Sequence, residues 1–97
     1  MSTLETPGSI VEIQKMIFPE QMRAARALLG WKQVDLAKAA SVGIATIRRI
    51  EVARGEVRGA GETLWKIQKA LEKAGIEFIS ADETKGPGVR LKEPLNI

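Results

Sequence analysis

Residues 33–52 read QVDLAKAASVGIATIRRIEV, and this stretch decides the fold. Leu36 and Ala37 mark the inner side of a helix running roughly from Gln33 to Ala40. Ile47 and Ile50 mark the inner side of a second, from about Ile44 to Ala53. Ser41-Val42-Gly43 breaks the helical period between them. Two short helices joined by so tight a turn cross at a steep angle and need a small residue where they meet. Ala37 supplies it, and Leu36, Ala40, Val42, Ile47 and Ile50 fill the angle. Ile44, Ala45, Arg48 and Arg49 are left as the outward positions of the second helix.

Upstream, Pro19 suits a first helical position and Glu20 suits the positive helix end. Met22, Ala25, Leu28 and Leu29 recur at helical spacing, and Gly30 is a stop signal. Ile10 to Phe18 fits both a helical face and strand alternation, so it is read as a short helix or an extended arm docked on the core. The first nine residues, MSTLETPGS, are turn-rich. Downstream, Gly55 to Gly61 reads as a loop. Its glycines are not a phosphate loop, because no Gly-Lys-Ser/Thr follows. Glu62 to Ala74 is a further helix with Leu64, Ile67, Gln68 and Leu71 on one face and Gly75 as its stop. Then the period changes. Ile76–Ile79 and Val89–Lys92 are β-prone, with a turn-bearing link from Ser80 to Gly88. Two strands alone are marginal in water, so they must pack on the helices or pair with another chain. The expected architecture is all-α, with four or five helices around the central helix pair and a short C-terminal two-stranded β segment. Its divisions are an arm at 1–18, a helical domain at 19–75 and a β tail at 76–97.

The chain has 97 residues, 15 basic and 12 acidic, for a net charge of +3, with no Cys, His or Tyr. That length fits one domain near the lower end of what folds unaided. Without Cys there is no disulfide, thiolate metal site or cysteine nucleophile. Without His the commonest proton shuttle and metal ligand is missing. Asp82 and Glu83 sit in a turn with no acid/base spacing. An enzyme is therefore not expected, nor a cofactor or metal. Met1–Pro7 has no leader pattern, and the apolar runs fall far short of the roughly 18 residues that span a bilayer. The expected location is the cytoplasm. The charge is uneven: residues 19–58 carry +4, residues 1–18 carry −1, and residues 59–97 are neutral.

The run RALLGWKQVDLAKAASVGIATIRRIE resembles the Xre-type helix-turn-helix family, the lambda-repressor-like DNA-binding domains. The family pattern is carried by Arg26, Leu29-Gly30, Lys32-Gln33, Leu36-Ala37, Val42, Thr46-Ile47 and Ile50-Glu51, and the likeness covers about Pro19 to Gly75. There are two departures. Ser41 stands where the family often has Gly, and a left-handed backbone there costs Ser about 1 kcal/mol. Gly43 stands where the family usually has Ser or Thr, so the helix start lacks a side-chain acceptor and a hydroxyl.

The resemblance implies roles for individual residues. Gln33 contacts a phosphate or packs against the recognition helix. Ile44, Ala45 and Arg49 face base edges in the major groove, with Thr46 and Arg48 at the flank and Gly43 at the helix start. Lys32, Arg54 and Arg58 surround this face and neutralise phosphates. Arg26 and Glu51 form an ion pair between the first and third helices. Trp31 is a partly buried packing residue, and Trp65 lies at the core edge or in an oligomer contact. The implied function is sequence-specific binding of double-stranded DNA as a small dimeric repressor on a palindromic operator. Two alternatives stand beside it. One is an antitoxin that represses its own operon and holds a toxin with the tail or the first 18 residues. The other is a protein-interaction module that has lost DNA binding.

Overall fold

The computed structural model of the chain describes residues 17–53 and 61–95. Residues 1–16 of the expected arm, Arg54, Arg58 and most of the glycine-bearing loop lie outside them. Among the described residues, the elements are α1 (Pro19–Leu29), α2 (Gln33–Ala40), α3 (Ile44–Glu51), α4 (Gly61–Lys73), β1 (Ile76–Ile79) and β2 (Gly88–Leu91). The expectation of a helical domain with a short two-stranded tail is met. Element bounds differ from the sequence reading by one or two residues, because frayed ends carry little periodic signal.

The first two helices are closed by local chemistry. Pro19 opens α1 with its fixed φ. The Gln21 side-chain oxygen accepts the Phe18 N–H at 2.9 Å, and Asp35 accepts the Lys32 N–H at 2.8 Å at the start of α2. At the end of α1, Gly30 takes φ 69, the Trp31 N–H reaches the Arg26 carbonyl at 2.9 Å, and the Gly30 N–H reaches Ala27 at 3.2 Å. That pair of bonds is the Schellman closure, which wants a left-handed residue. The end of α2 repeats it with Ser41 at φ 56, where the Val42 N–H bonds the Ala37 carbonyl at 3.0 Å. Ser is strained in this region and Gly is not. Ser41→Gly is therefore expected to raise stability by about 1 kcal/mol, read as a higher urea midpoint at unchanged slope.

The core gathers one layer from the four helices and β1, with β2 half-buried against it. Ile17, Met22 and Ala25 meet Leu36, Ala37 and Ala40 of α2, Ile47 and Ile50 of α3, Leu64, Ile67 and Leu71 of α4, and Ile76 of β1, all buried. α2 lies between α3 and α4, and α1 touches α3 and β2. Val42 and Trp31 are half-buried against this core, as expected. One inward assignment is corrected. Leu28 is 45% exposed. It falls about 120° round the helix from Met22, at the margin of the apolar stripe, although the three-residue step from Ala25 looks periodic.

β1 and β2 pair antiparallel, with Ile76 opposite Leu91, Glu77 opposite Arg90, Phe78 opposite Val89 and Ile79 opposite Gly88. Phe78, Val89 and Leu91 turn their side chains to the core. Glu77 and Arg90 face outward as a two-bond ion pair at 3.0 and 3.3 Å. The bond from Arg90 holds the Glu77 carboxyl below its ordinary pKa. This contribution is present above the ordinary carboxylate range and is lost as pH falls through the lowered value. In the link, Asp82 accepts the Thr84 and Lys85 N–H groups, both at 2.7 Å, and its pKa is lowered for that reason.

The hairpin is bonded to the helices. The buried Gln21 side chain donates to the Gly88 carbonyl at 2.9 Å and the Ile79 carbonyl at 3.4 Å. The Lys92 N–H reaches the Gly75 carbonyl, and its ammonium reaches the Glu72 carbonyl, both at 2.8 Å. A buried amide in such a place is stable only when bonded, and Gln21 satisfies three backbone groups at once.

Candidate nucleic-acid interface

The outward surface of α3 depends on what holds its inner side. Ile47 and Ile50 are buried, and so is Glu51, at 2% exposure. A carboxylate so placed needs several partners. Arg26 of α1 supplies a fork, Nε to Oε2 and Nη2 to Oε1, both at 2.7 Å. The third guanidinium nitrogen, Nη1, donates to the Trp31 carbonyl at 3.0 Å. Gln33 of α2 adds its Nε2 to Glu51 Oε1 at 3.0 Å. Arg23 donates to the Glu51 backbone carbonyl. The hydrogen bond to Glu51 raises the Arg26 pKa above its already high ordinary value, so the guanidinium stays charged throughout the working pH range. One carboxylate on α3 thus ties together three helices and fixes the angle at which α3 is presented.

The expected Arg26–Glu51 pair is present. For Gln33, the amide nitrogen points into the protein and packs against α3. Arg23 was not singled out from the sequence, although it lies on the same face of α1 as Arg26, three residues earlier. The remaining residues expected at the interface are spread over the turn and α3. Gly43 is the N-cap at φ −63, ψ 145, and its carbonyl accepts the Thr46 and Ile47 N–H groups at 3.0 and 3.2 Å. Ala45, Arg48 and Arg49 are exposed, as is Lys32 at the start of α2. Thr46 is half-buried. Ile44 corrects the sequence reading in part: it is half-buried against the core rather than wholly outward. At about 100° per residue it lies roughly 60° from Ile47, within reach of the apolar layer.

Among the described residues, neither Arg48 nor Arg49 is paired with an acid. Both stand in the last turn of α3, where a positive charge suits the helix dipole. The result is a short helix with an apolar inner face, a buried ionic clamp and an uncompensated basic outer face.

A family model described as helix-turn-helix matches residues 22–78. The chain belongs to the Xre-type, lambda-repressor-like helix-turn-helix family. The family is one of DNA-binding transcription regulators and is not enzymatic. The match takes in all four described helices except the first turn of α1, and it ends within β1, so the second strand lies beyond the family region. No curated protein and no solved structure matches the chain. Among the described residues, no helix is long and apolar enough to cross a membrane.

Proposed function

We propose that the chain is a cytoplasmic repressor that binds double-stranded DNA as a homodimer, one α3 per half-site of a palindromic operator. The observation that carries this reading is the exposed Arg48-Arg49 pair, without an acid partner among the described residues, on a helix whose opposite side is clamped by Glu51. In this reading Ile44, Ala45 and Arg49 face the bases. Thr46 and Arg48 lie at the flank beside Gly43, and Lys32, Arg54 and Arg58 serve the phosphates. Gln33 acts chiefly by bracing α3. A single head of this size covers little DNA, so two heads are needed for useful affinity.

Two surfaces are candidates for joining the protomers. Trp65 of α4 is 54% exposed and carries the Lys69 ammonium 5.6 Å from its ring centre. The hairpin offers strand edges, since β1 and β2 pair only with each other among the described residues. Such edges accept an added strand, from a second copy or from a different protein. They also favour the antitoxin reading, with the tail holding a toxin. Selection from a random duplex pool, with sequencing and sedimentation of the complex, tests the main reading. Two inverted half-sites about 34–36 Å apart and a two-chain complex are expected. One isolated half-site bound by one chain would defeat the dimer. Trp65→Ala is expected to weaken operator binding at least tenfold while a single half-site is bound as before; an unchanged dimer would move the interface to the hairpin.

A further inference from the structure

The eight side chains of α3 limit which bases a reading helix can recognise. Ile47, Ile50 and Glu51 are buried, and Ile44 and Thr46 are half-buried on the two flanks. At about 100° per residue, Ala45 and Arg49 lie nearest the point opposite the buried trio. They are one turn apart, so they are neighbours on the surface. Side chains on a helix lean toward its N-terminus, so Arg49 extends back over Ala45, whose single methyl leaves it room. Arg48 stands off to one side.

The chemistry of this outward pole is narrow. Direct reading of adenine in the major groove uses the amide of Asn or Gln, and direct reading of cytosine uses a carboxylate. α3 has no Asn, Gln or Asp, and its one carboxylate, Glu51, is buried and bonded to Arg26 and Gln33. The nearby amide nitrogen of Gln33 is committed to that same carboxylate. The one hydroxyl of α3, on Thr46, is half-buried at the flank, and Ile44 is half-buried against the core at the other, so the outward pole itself presents a guanidinium and a methyl. Arg makes paired hydrogen bonds to guanine O6 and N7, and Ala packs on the C5-methyl of thymine.

Resting on the DNA-binding reading above, we propose that α3 recognises each half-site through one guanine and one neighbouring thymine. Arg49 reads the guanine and Ala45 meets the thymine methyl. No adenine or cytosine is read by a hydrogen bond from this helix. Arg49 and Ala45 are then the specificity-determining pair, and Arg48 serves the backbone.

The test uses the full chain and the duplex enriched from the random pool. Each guanine of one half-site is replaced in turn by 7-deazaguanine, which lacks the N7 acceptor but pairs normally. One position is expected to weaken binding about 5- to 150-fold, and Arg49→Ala is expected to abolish that sensitivity while Arg48→Ala leaves it. Replacing one thymine with uracil removes only the methyl and is expected to cost about 3- to 5-fold, a loss that disappears in Ala45→Gly. The base analogues act on the unaltered protein, so a variant that folds poorly does not decide the result. An enriched site indifferent to 7-deazaguanine, or one equally sensitive to 7-deazaadenine, overturns this inference and leaves duplex binding standing. A sensitivity abolished by Arg48→Ala instead overturns the assignment to Arg49. A pool in which no sequence is enriched refutes the DNA reading itself, and the inference with it.

Discussion

Arg26→Ala is expected to cost about 3–5 kcal/mol of folding stability, the largest loss from any single substitution outside the apolar core. The reason is the carboxylate it leaves behind. Glu51 is 2% exposed and depends on the Arg26 fork for a bond to each oxygen. With the fork gone, the Gln33 amide is a single neutral donor to a buried charge. A domain of this size has only about 5–15 kcal/mol in hand, so much of the margin goes at once. Urea unfolding should show the midpoint falling with little change in slope. Arg26→Lys should fall between, since it keeps the charge but loses the planar fork and the bond to the Trp31 carbonyl. The paired change Arg26→Met with Glu51→Leu should recover most of the loss, because the cost of an ion pair lies in leaving one member unpaired. A loss under about 1 kcal/mol for Arg26→Ala would mean that water reaches Glu51 and the clamp does not set the angle of α3.

Much of this arrangement was legible from local pattern. The α2–turn–α3 unit follows from apolar spacing on either side of Ser41-Val42-Gly43, and the hairpin follows from two β-prone runs around a turn-rich link. The Arg26–Glu51 pair came from the family resemblance, because no period relates residues 25 apart. Where the local reading slipped, it slipped at the edges of helical faces. Leu28 and Ile44 both sit at margins, where the packing of neighbouring elements and not the period decides exposure. Gln21 was invisible for a different reason. Its carbonyl partners lie 58 and 67 residues away, and a glutamine in the first turn of a helix looks like any solvated residue. Gln33 had two readings in the sequence. The position of Glu51 favours the inward one and leaves α3 without a nearby free amide, which in the proposed reading narrows the bases it can recognise.

Lys32→Ala is expected to weaken binding to specific and random duplexes by the same factor and to flatten the dependence on salt. Lys32 is exposed at the start of α2, and its backbone N–H, not its side chain, is what Asp35 caps at 2.8 Å. Removing the ammonium therefore leaves the helix start intact and takes away only a charge. If Lys32, Arg48, Arg54 and Arg58 each neutralise one phosphate per protomer, a dimer covers about eight. The log–log salt slope is then about −7.2, and raising salt from about 50 to 200 mM weakens binding roughly 20,000-fold. The variant keeps about six contacts, so its slope falls to about −5.4 and the same change in salt costs about 2,000-fold. A phosphate contact carries no sequence information, so the ratio of specific to random affinity should stay where it was. Arg49→Ala is expected to do the opposite, collapsing that ratio while moving the salt slope little. The two variants together separate the charge that holds the duplex from the side chain that reads it. If Lys32→Ala left the slope unchanged, α2 would not lie along the backbone, and α3 could not enter the groove at the angle the Glu51 clamp imposes.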